Sequence, residues 1–131
     1  MSMKLQFPIF LLFLISFVNS SQGQTLFDPI NSYLQRYRLY IDEKDLIVKN
    51  GVIYLELKGR RTNLNSLVLL GYYSVGRQLQ KNSSPFREIQ IIVKYEMKDA
   101  QKITVTASIE SVVALSQGRI NPDQFLNELR Y

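Results

Sequence analysis

The 131-residue sequence contains no histidine and no cysteine, and its formal net charge is +5. These absences remove the commonest general base, the thiolate nucleophile, the usual zinc ligands and any disulfide. An enzyme would have to use carboxylates, lysine, tyrosine or serine alone, so we expect no enzymatic activity, no cofactor and no metal. Basic and acidic residues are interspersed along the chain, and solubility is the default explanation of such a balance.

The amino-terminal stretch Met1 to Gly23 has the pattern of a cleavable secretory signal peptide. Lys4 supplies a positive charge, Phe7 to Val18 is an almost continuous apolar run, and Ser21 and Gly23 put small residues before the cut. The run of 12 residues is shorter than the ~20 that a membrane-spanning helix needs. An uncleaved anchor is therefore the less favoured alternative.

Cleavage is expected after Gly23, with cleavage after Ser20 as the alternative. Loss of the 23-residue leader removes Lys4 and leaves 108 residues with a net charge of +4. That length suits one domain, which buries roughly two-thirds of the surface of its unfolded chain. We expect a single domain over residues 24–131, periplasmic or secreted, with no stable membrane insertion after the leader is removed.

The first predicted element is a short amphipathic helix. Asp28 is placed as its N-cap, Pro29 as its first helical residue, and it ends near Arg38. A loosely alternating strand is predicted from Leu39 to Val48.

Asn50-Gly51 then predicts a tight hairpin turn, since both residues tolerate a positive φ. The returning strand, Val52 to Lys58, alternates between apolar and polar residues, which is typical of a sheet buried on one side.

The longest helical pattern runs from Asn63 to Lys81. At 100° per residue its apolar stripe contains Leu64, Leu67, Val68, Gly71, Val75 and Leu79. Gly71 in this stripe would allow the helix to approach the sheet closely. The opposite face carries three more apolar residues, Leu69, Leu70 and Tyr73, so we expect another helix, a protein partner or a second copy of the chain to cover that face.

A second hairpin is predicted from strands at Arg87 to Met97 and Lys102 to Ala107. A helix over Ile109 to Ser116 follows, with Ser108 as its cap and Gly118 as its terminating residue.

Asn121-Pro122 opens a last helix that is predicted to run to the carboxyl terminus. The fold class is therefore α+β: an N-terminal helix, two β-hairpins separated by a long helix, and two short C-terminal helices. The four-stranded sheet is expected to be mainly antiparallel, with helices packed on one face.

One candidate binding site lies before the central helix. Lys58, Arg60 and Arg61 lead into its amino terminus, where exposed amides and the helix dipole favour an anion. The sequence has no glycine-rich phosphate loop, so two solvated arginines in a surface loop remain the alternative. Nucleic-acid binding is not expected, because aromatic residues do not alternate with the basic ones on the polar strand face.

Other polar groups are weaker candidates. Glu56 and Glu96 lie on polar strand faces and could form an acid and base pair for glycoside cleavage. Lysines lie two residues from each, Lys58 and Lys94, so cross-strand ion pairing is favoured instead. Asp42, Glu43 and Asp45 lack calcium-loop spacing. Asn82-Ser83-Ser84 matches the N-glycosylation sequon, which matters only in a eukaryote.

The favoured function is that of an exported, non-enzymatic protein-interaction domain, such as an accessory or assembly factor of the cell envelope, with Leu69, Leu70 and Tyr73 as its interface. A module that binds an anionic ligand or polysaccharide through Lys58, Arg60 and Arg61 is the alternative. A carboxylate-dependent hydrolase is a remote third. The sequence carries no family motif specific enough to transfer residues or function from it.

Overall fold

A computed structural model describes residues 25–59, 64–95 and 101–131. The predicted signal peptide, Arg60 and Arg61, and Glu96 and Met97 lie outside these ranges. The described chain is an α+β structure with a four-stranded mixed sheet and four helices. The strands are β1 (Leu46–Lys49), β2 (Val52–Gly59), β3 (Glu88–Tyr95) and β4 (Lys102–Ser108). The helices are α1 (25–35), α2 (Leu64–Leu79), α3 (Ile109–Ser116) and α4 (Pro122–Asn127).

The strands lie in the order β1-β2-β3-β4. Both hairpins are antiparallel, and Asn50 and Gly51 adopt φ values of 53° and 76° in the first turn. The central pair, β2 and β3, is parallel, because α2 carries the chain back to the same end of the sheet before β3 begins. The expected antiparallel pairing is thus confirmed for the hairpins, and the sheet as a whole is mixed.

Alternate residues of the central strands form the core. The buried side chains on this face of the sheet include Ile53, Leu55, Leu57, Ile89, Ile91, Val93, Val105 and Ala107. The opposite face of β2 and β3 is mostly half-buried, with Lys58 exposed. The alternation predicted for β2 is therefore confirmed, with Ile53, Leu55 and Leu57 on the core side.

Helix α2 packs directly on the buried face of the sheet through Gly71. A Cβ atom at this position would lie 3.0 Å from Cδ1 of Ile91 and 3.1 Å from Cδ1 of Leu57. The predicted close approach is confirmed. Gly76 makes a second close contact, with α3, where a Cβ atom would lie 2.9 Å from the carbonyl oxygen of Val112.

The predicted caps of the two carboxyl-terminal helices, and the predicted end of the first of them, are confirmed. The Ser111 N–H donates to Ser108 Oγ (3.3 Å), and the Gln124 N–H donates to Asn121 Oδ1 (2.7 Å). Gly118 has a φ of 75°. Its N–H donates to the Leu115 carbonyl and the N–H of the next residue, Arg119, donates to that of Ala114, the hydrogen-bond pattern of a Schellman motif.

The predicted start of the first helix is wrong. Residues 25–27 are already helical, so Asp28 and Pro29 lie inside α1. Leu26, Ile30 and Leu34 are all buried at i, i+4 and i+8, and burying this longer stripe outweighs the local cap signal. The end near Arg38 is confirmed: this residue has a φ of 61°, and the Leu39 N–H donates to the Leu34 carbonyl.

The predicted first strand is too long. Residues Glu43–Asp45 form a 3-10 turn, and β1 begins only at Leu46. The Asp42 N–H donates to Asp45 Oδ2 (2.8 Å), and the Asp45 N–H donates to the Asp42 carbonyl (2.9 Å). Short acidic side chains compete for backbone groups in this way and favour turns over strands.

The last helix does not continue to the carboxyl terminus as predicted. It ends at Asn127, and Arg130 instead forms a bridge with Thr106 of the edge strand β4. Their backbones exchange two hydrogen bonds of 2.8 and 3.0 Å. The last carbonyl groups of a helix have no partner within the helix, and an edge strand has unpaired N–H and C=O groups. Pairing of Arg130 with β4 satisfies backbone groups of both kinds.

Candidate functional site

A row of three lysines crosses the sheet on the face opposite the core. The register places Lys58 of β2 beside Lys94 of β3, and Lys94 beside Lys102 of β4. Neighbouring strands are about 4.8 Å apart, so the three Cα atoms span roughly 10 Å. We call these residues the lysine row. Lys58 and Lys102 are exposed and Lys94 is half-buried, so water or a ligand can reach the row.

Among the described residues, one carboxylate partly compensates the lysine row. Glu56 Oε1 lies 3.7 Å from Lys102 Nζ, and both side chains are in contact with water. Within the described ranges neither Lys58 nor Lys94 has an ion-pair partner. Like charges on directly neighbouring strands destabilise a sheet, so the row is a place where an anion would be favourable.

The lysine row marks the carboxyl end of the parallel pair. Lys58 is the penultimate residue of β2 and Lys94 that of β3. Ligands of open sheets with parallel strands commonly bind beyond these ends. Of the predicted anion-site residues, the structure thus places Lys58. Arg60 and Arg61 come two and three positions later in the sequence and lie outside the described residues.

The proposed carboxylate pair cannot be assembled from the described residues. Glu96 lies outside them, and Glu56 has Lys102 as its ion-pair partner. The expected cross-strand ion pairing of Glu56 therefore occurs, with Lys102 of β4 as the partner. In the described ranges no group of three or more acidic residues is arranged to hold a metal ion.

The predicted interface residues of α2 are neither buried nor freely exposed. Leu69, Leu70 and Tyr73 are each half-buried and pack against the margin of the core. The buried arc of α2 is wider than the predicted stripe, since Tyr72, Ser74 and Gly76 are also buried. The residues of α2 that are not buried include the three predicted ones and the exposed Arg77.

Helix α1 contacts this outer face at its carboxyl-terminal end. The guanidinium carbon of Arg77 lies 4.9 Å from the centre of the Tyr33 ring, a cation–π geometry. Tyr33 also contacts Tyr37, with ring centres 5.5 Å apart. Burial and the neighbouring Tyr37 hydroxyl raise the pKa of Tyr33. Part of the face is therefore covered within the chain itself.

The proximity of Lys94 and Lys102 to Lys58 could not be predicted from the sequence. Their proximity depends on the parallel pairing of β2 with β3 and on its register, and both are non-local. The available signal was the shared position of Lys58 and Lys94 near the ends of two alternating strands.

No helix in the described part of the chain is both long and apolar enough to cross a membrane. A scan against protein-family models finds no match, and comparisons with curated proteins and with solved structures find no similar protein.

Proposed function

We propose that this protein is a non-enzymatic binding module for anionic ligands, and that the lysine row is its binding surface. The observation that carries the proposal is the register that aligns Lys58, Lys94 and Lys102 on three adjacent strands. Two of these lysines have no ion-pair partner among the described residues. An extended anion lying across the strands would contact all three ammonium groups.

The chemistry of the row favours a linear polyanion, such as an acidic polysaccharide, over a compact phosphate. Lysine is a flexible point charge with no fixed fork geometry, and a span of roughly 10 Å exceeds what one phosphate can bridge. Arg60 and Arg61, which follow β2 in the sequence, are proposed to extend the same surface.

Heparin, as a sulfated polysaccharide probe, tests the proposal. The triple variant Lys58→Gln, Lys94→Gln, Lys102→Gln should bind about ten- to hundredfold more weakly in low salt, because an exposed ion pair contributes up to about 1 kcal/mol. A matched control, Lys44→Gln, Lys49→Gln, Lys81→Gln, changes the net charge equally at three other exposed lysines. Equal losses in both variants would show that only the net charge matters and would overturn the site.

The double variant Arg60→Glu, Arg61→Glu tests these two arginines separately from the lysine row. Surface charge changes away from the core usually alter stability by less than about 0.5 kcal/mol, so this variant should fold and bind heparin much more weakly. Unchanged binding would show that neither arginine belongs to the proposed surface. The lysine row is tested independently, by the triple lysine variant.

A second candidate function is protein–protein interaction through the outer face of α2, as in an exported accessory or assembly domain. It is supported by the half-burial of Leu69, Leu70 and Tyr73, which leaves apolar area in contact with water beside Arg77. Binding through this face should survive moderate salt, whereas binding to the lysine row should not.

Both candidates are proposed to act outside the cytoplasm. The support is the leader pattern of Met1 to Gly23. Intact-mass measurement of exported protein should show the loss of about 23 residues, and retention of the full chain in a membrane fraction would contradict export as a free protein.

A further inference from the structure

A concave surface lies at the other end of the sheet from the lysine row. It is an open cavity of about 460 Å³ between the turn that precedes β3 and the outer side of α3. Its lining includes Pro85, Phe86, Ile109, Glu110, Val113 and Arg119. Lys94 lies six positions after Glu88, the first residue of β3, a distance of about 20 Å along the strand, so the cavity and the lysine row are distinct sites.

Backbone hydrogen bonds hold one wall of the cavity. The Phe86 N–H donates to the Ser83 carbonyl (2.9 Å) and closes the turn. The next residue, Arg87, donates its N–H to the Gly51 carbonyl (2.8 Å) and accepts a hydrogen bond from the Ile109 N–H (2.9 Å). The turn is thereby attached to the first hairpin on one side and to the start of α3 on the other.

The Schellman motif of α3 holds the opposite wall. The Arg119 N–H donates to the Ala114 carbonyl at 2.9 Å, which fixes the backbone from which the Arg119 side chain extends. Glu110 and Val113 are three residues apart on α3, a spacing that puts both on one side of a helix. The cavity is therefore formed by ordered backbone before any ligand arrives, as ligand sites usually are.

The cavity combines an apolar floor with two opposite charges on its rim. Ile109 is buried, and Phe86 and Val113 are half-buried. Glu110 and Arg119 are both exposed, and within the described ranges neither forms an ion pair. Arg119 Nε donates to Gln117 Oε1 (2.7 Å), which leaves the two terminal amino groups of the guanidinium available to a ligand.

We propose that this cavity binds a small zwitterion with an apolar side chain, in the simplest case a free apolar amino acid. The guanidinium of Arg119 would receive the carboxylate, since its paired donors match carboxylate geometry. The Glu110 carboxylate would receive the ammonium group, and the apolar side chain would lie on Phe86 and Val113. The volume falls within the roughly 300–1,000 Å³ of small-molecule sites. Binding of this zwitterion is independent of polyanion binding, because the zwitterion carries no net charge.

Phenylalanine, titrated into the ¹⁵N-labelled full chain and followed by NMR, is the first test. We expect saturable shifts at the amides of Phe86, Val113 and Arg119, and none at Lys58 or Lys94. Absence of saturable shifts at the cavity up to about 20 mM, the range of a weak millimolar site, would overturn the proposal.

Matched ligand and protein changes then test the two charges separately. Arg119→Gln should weaken phenylalanine binding about three- to fivefold, as expected for an exposed ion pair, but should not affect phenylalanine amide, which lacks the carboxylate. Glu110→Gln should weaken phenylalanine similarly and should not affect N-acetylphenylalanine, which lacks the ammonium group.

Two results would contradict the zwitterion assignment. N-acetylphenylalanine that binds as tightly as phenylalanine would identify the cavity as a site for a peptide carboxyl terminus. Phenylalanine amide that does so would identify a site for an amino terminus. Both variants alter exposed side chains, and an unchanged amide spectrum outside the cavity confirms that each is folded.

Discussion

The Tyr72 hydroxyl donates a hydrogen bond of 2.7 Å to the backbone carbonyl of Val105, joining the central helix to the last strand of the sheet. The same ring meets Phe125 of α4 edge to face, with centres 5.1 Å apart and planes at 73°. Both side chains are fully buried. Tyr72 therefore ties α2, β4 and α4 together at one point in the core.

Replacement of Tyr72 by phenylalanine should lower the free energy of unfolding by about 1–2 kcal/mol. The ring and its contact with Phe125 are retained, so the loss reflects the buried hydrogen bonds of the hydroxyl to the Val105 and Ile89 carbonyls. Urea denaturation at pH 7 measures the change. Tyr40→Phe is the control, since Tyr40 is 72% exposed and its substitution should have almost no effect.

Stability should also fall at alkaline pH because of Tyr72. Burial raises the pKa of this hydroxyl above its ordinary value of 10.0, so between the unfolded and folded pKa values the unfolded chain has lost a proton that the native state keeps. The stabilisation is complete below pH 10 and decreases as pH rises towards the folded pKa. The Tyr72→Phe variant should lose less stability between pH 10 and 11 than the wild type, and equal losses would contradict this origin.

Gly71 and Gly76 should respond differently to alanine. At Gly76 the added methyl group meets the carbonyl oxygen of Val112 at 2.9 Å, and a backbone atom cannot move without shifting α3. At Gly71 the nearest atoms belong to the side chains of Ile91 and Leu57, which can change rotamer more easily than a backbone can shift.

Alanine also improves helix propensity by about 1 kcal/mol, while overpacking costs typically 1–3 kcal/mol. We expect Gly71→Ala to be within about 1 kcal/mol of the wild type and Gly76→Ala to be destabilised by about 1–2 kcal/mol. Thermal or urea denaturation of both variants decides the order. A Gly71→Ala variant less stable than Gly76→Ala would mean that the sheet-facing side chains cannot adjust.

The parts of this fold that the sequence predicted are those with local causes. Asn50-Gly51 forms its turn, Ser108 and Asn121 cap helices, and Gly118 ends one, because each signal acts on backbone groups within a few residues. Tyr72 was missed as a core residue, since it lies about 80° from Leu64 on the helical wheel and its partners are on β4 and α4.

The same distinction applies to the candidate sites. Lys58 was identified from its position before a helix, whereas its neighbour Lys94 required the parallel register. The cavity depends on Arg119 reaching the turn at Pro85, more than 30 positions away along the chain. Local patterns constrain neither relationship, and only tertiary packing brings these residues together.

Lys94 should reduce stability as long as no anion is bound. It lies between Lys58 and Lys102, so Lys94→Gln removes the charge repulsion with both neighbours. This change should raise the free energy of unfolding by roughly 0.2–1 kcal/mol in low salt. Near 1 M salt the Debye length is about 3 Å and the gain should vanish. Lys49→Gln is the control, because Lys49 faces Val52 across its hairpin. A gain that persists in high salt would show that repulsion is not its cause.

The outer face of α2 gives the last prediction. Leu70 and Tyr73 are half-buried against the margin of the core, whereas full truncation of a buried large apolar side chain costs about 2–5 kcal/mol. Leu70→Ser and Tyr73→Ser should therefore each lower the free energy of unfolding by about 1–2 kcal/mol and leave the domain folded at 25 °C. Tyr40→Ser, at a position 72% exposed, should change it by less than about 0.5 kcal/mol.

Association of the same variants decides between an internal layer and an interface. Sedimentation velocity over a concentration series measures self-association, and salt-insensitive retention of a purified partner measures hetero-association. If the face binds a second copy or a partner, the Leu70→Ser, Tyr73→Ser double variant must lose that association while its circular dichroism remains native. Full retention of association by a folded double variant would contradict the second candidate function, because an interface centred on these side chains cannot tolerate the loss of both apolar groups.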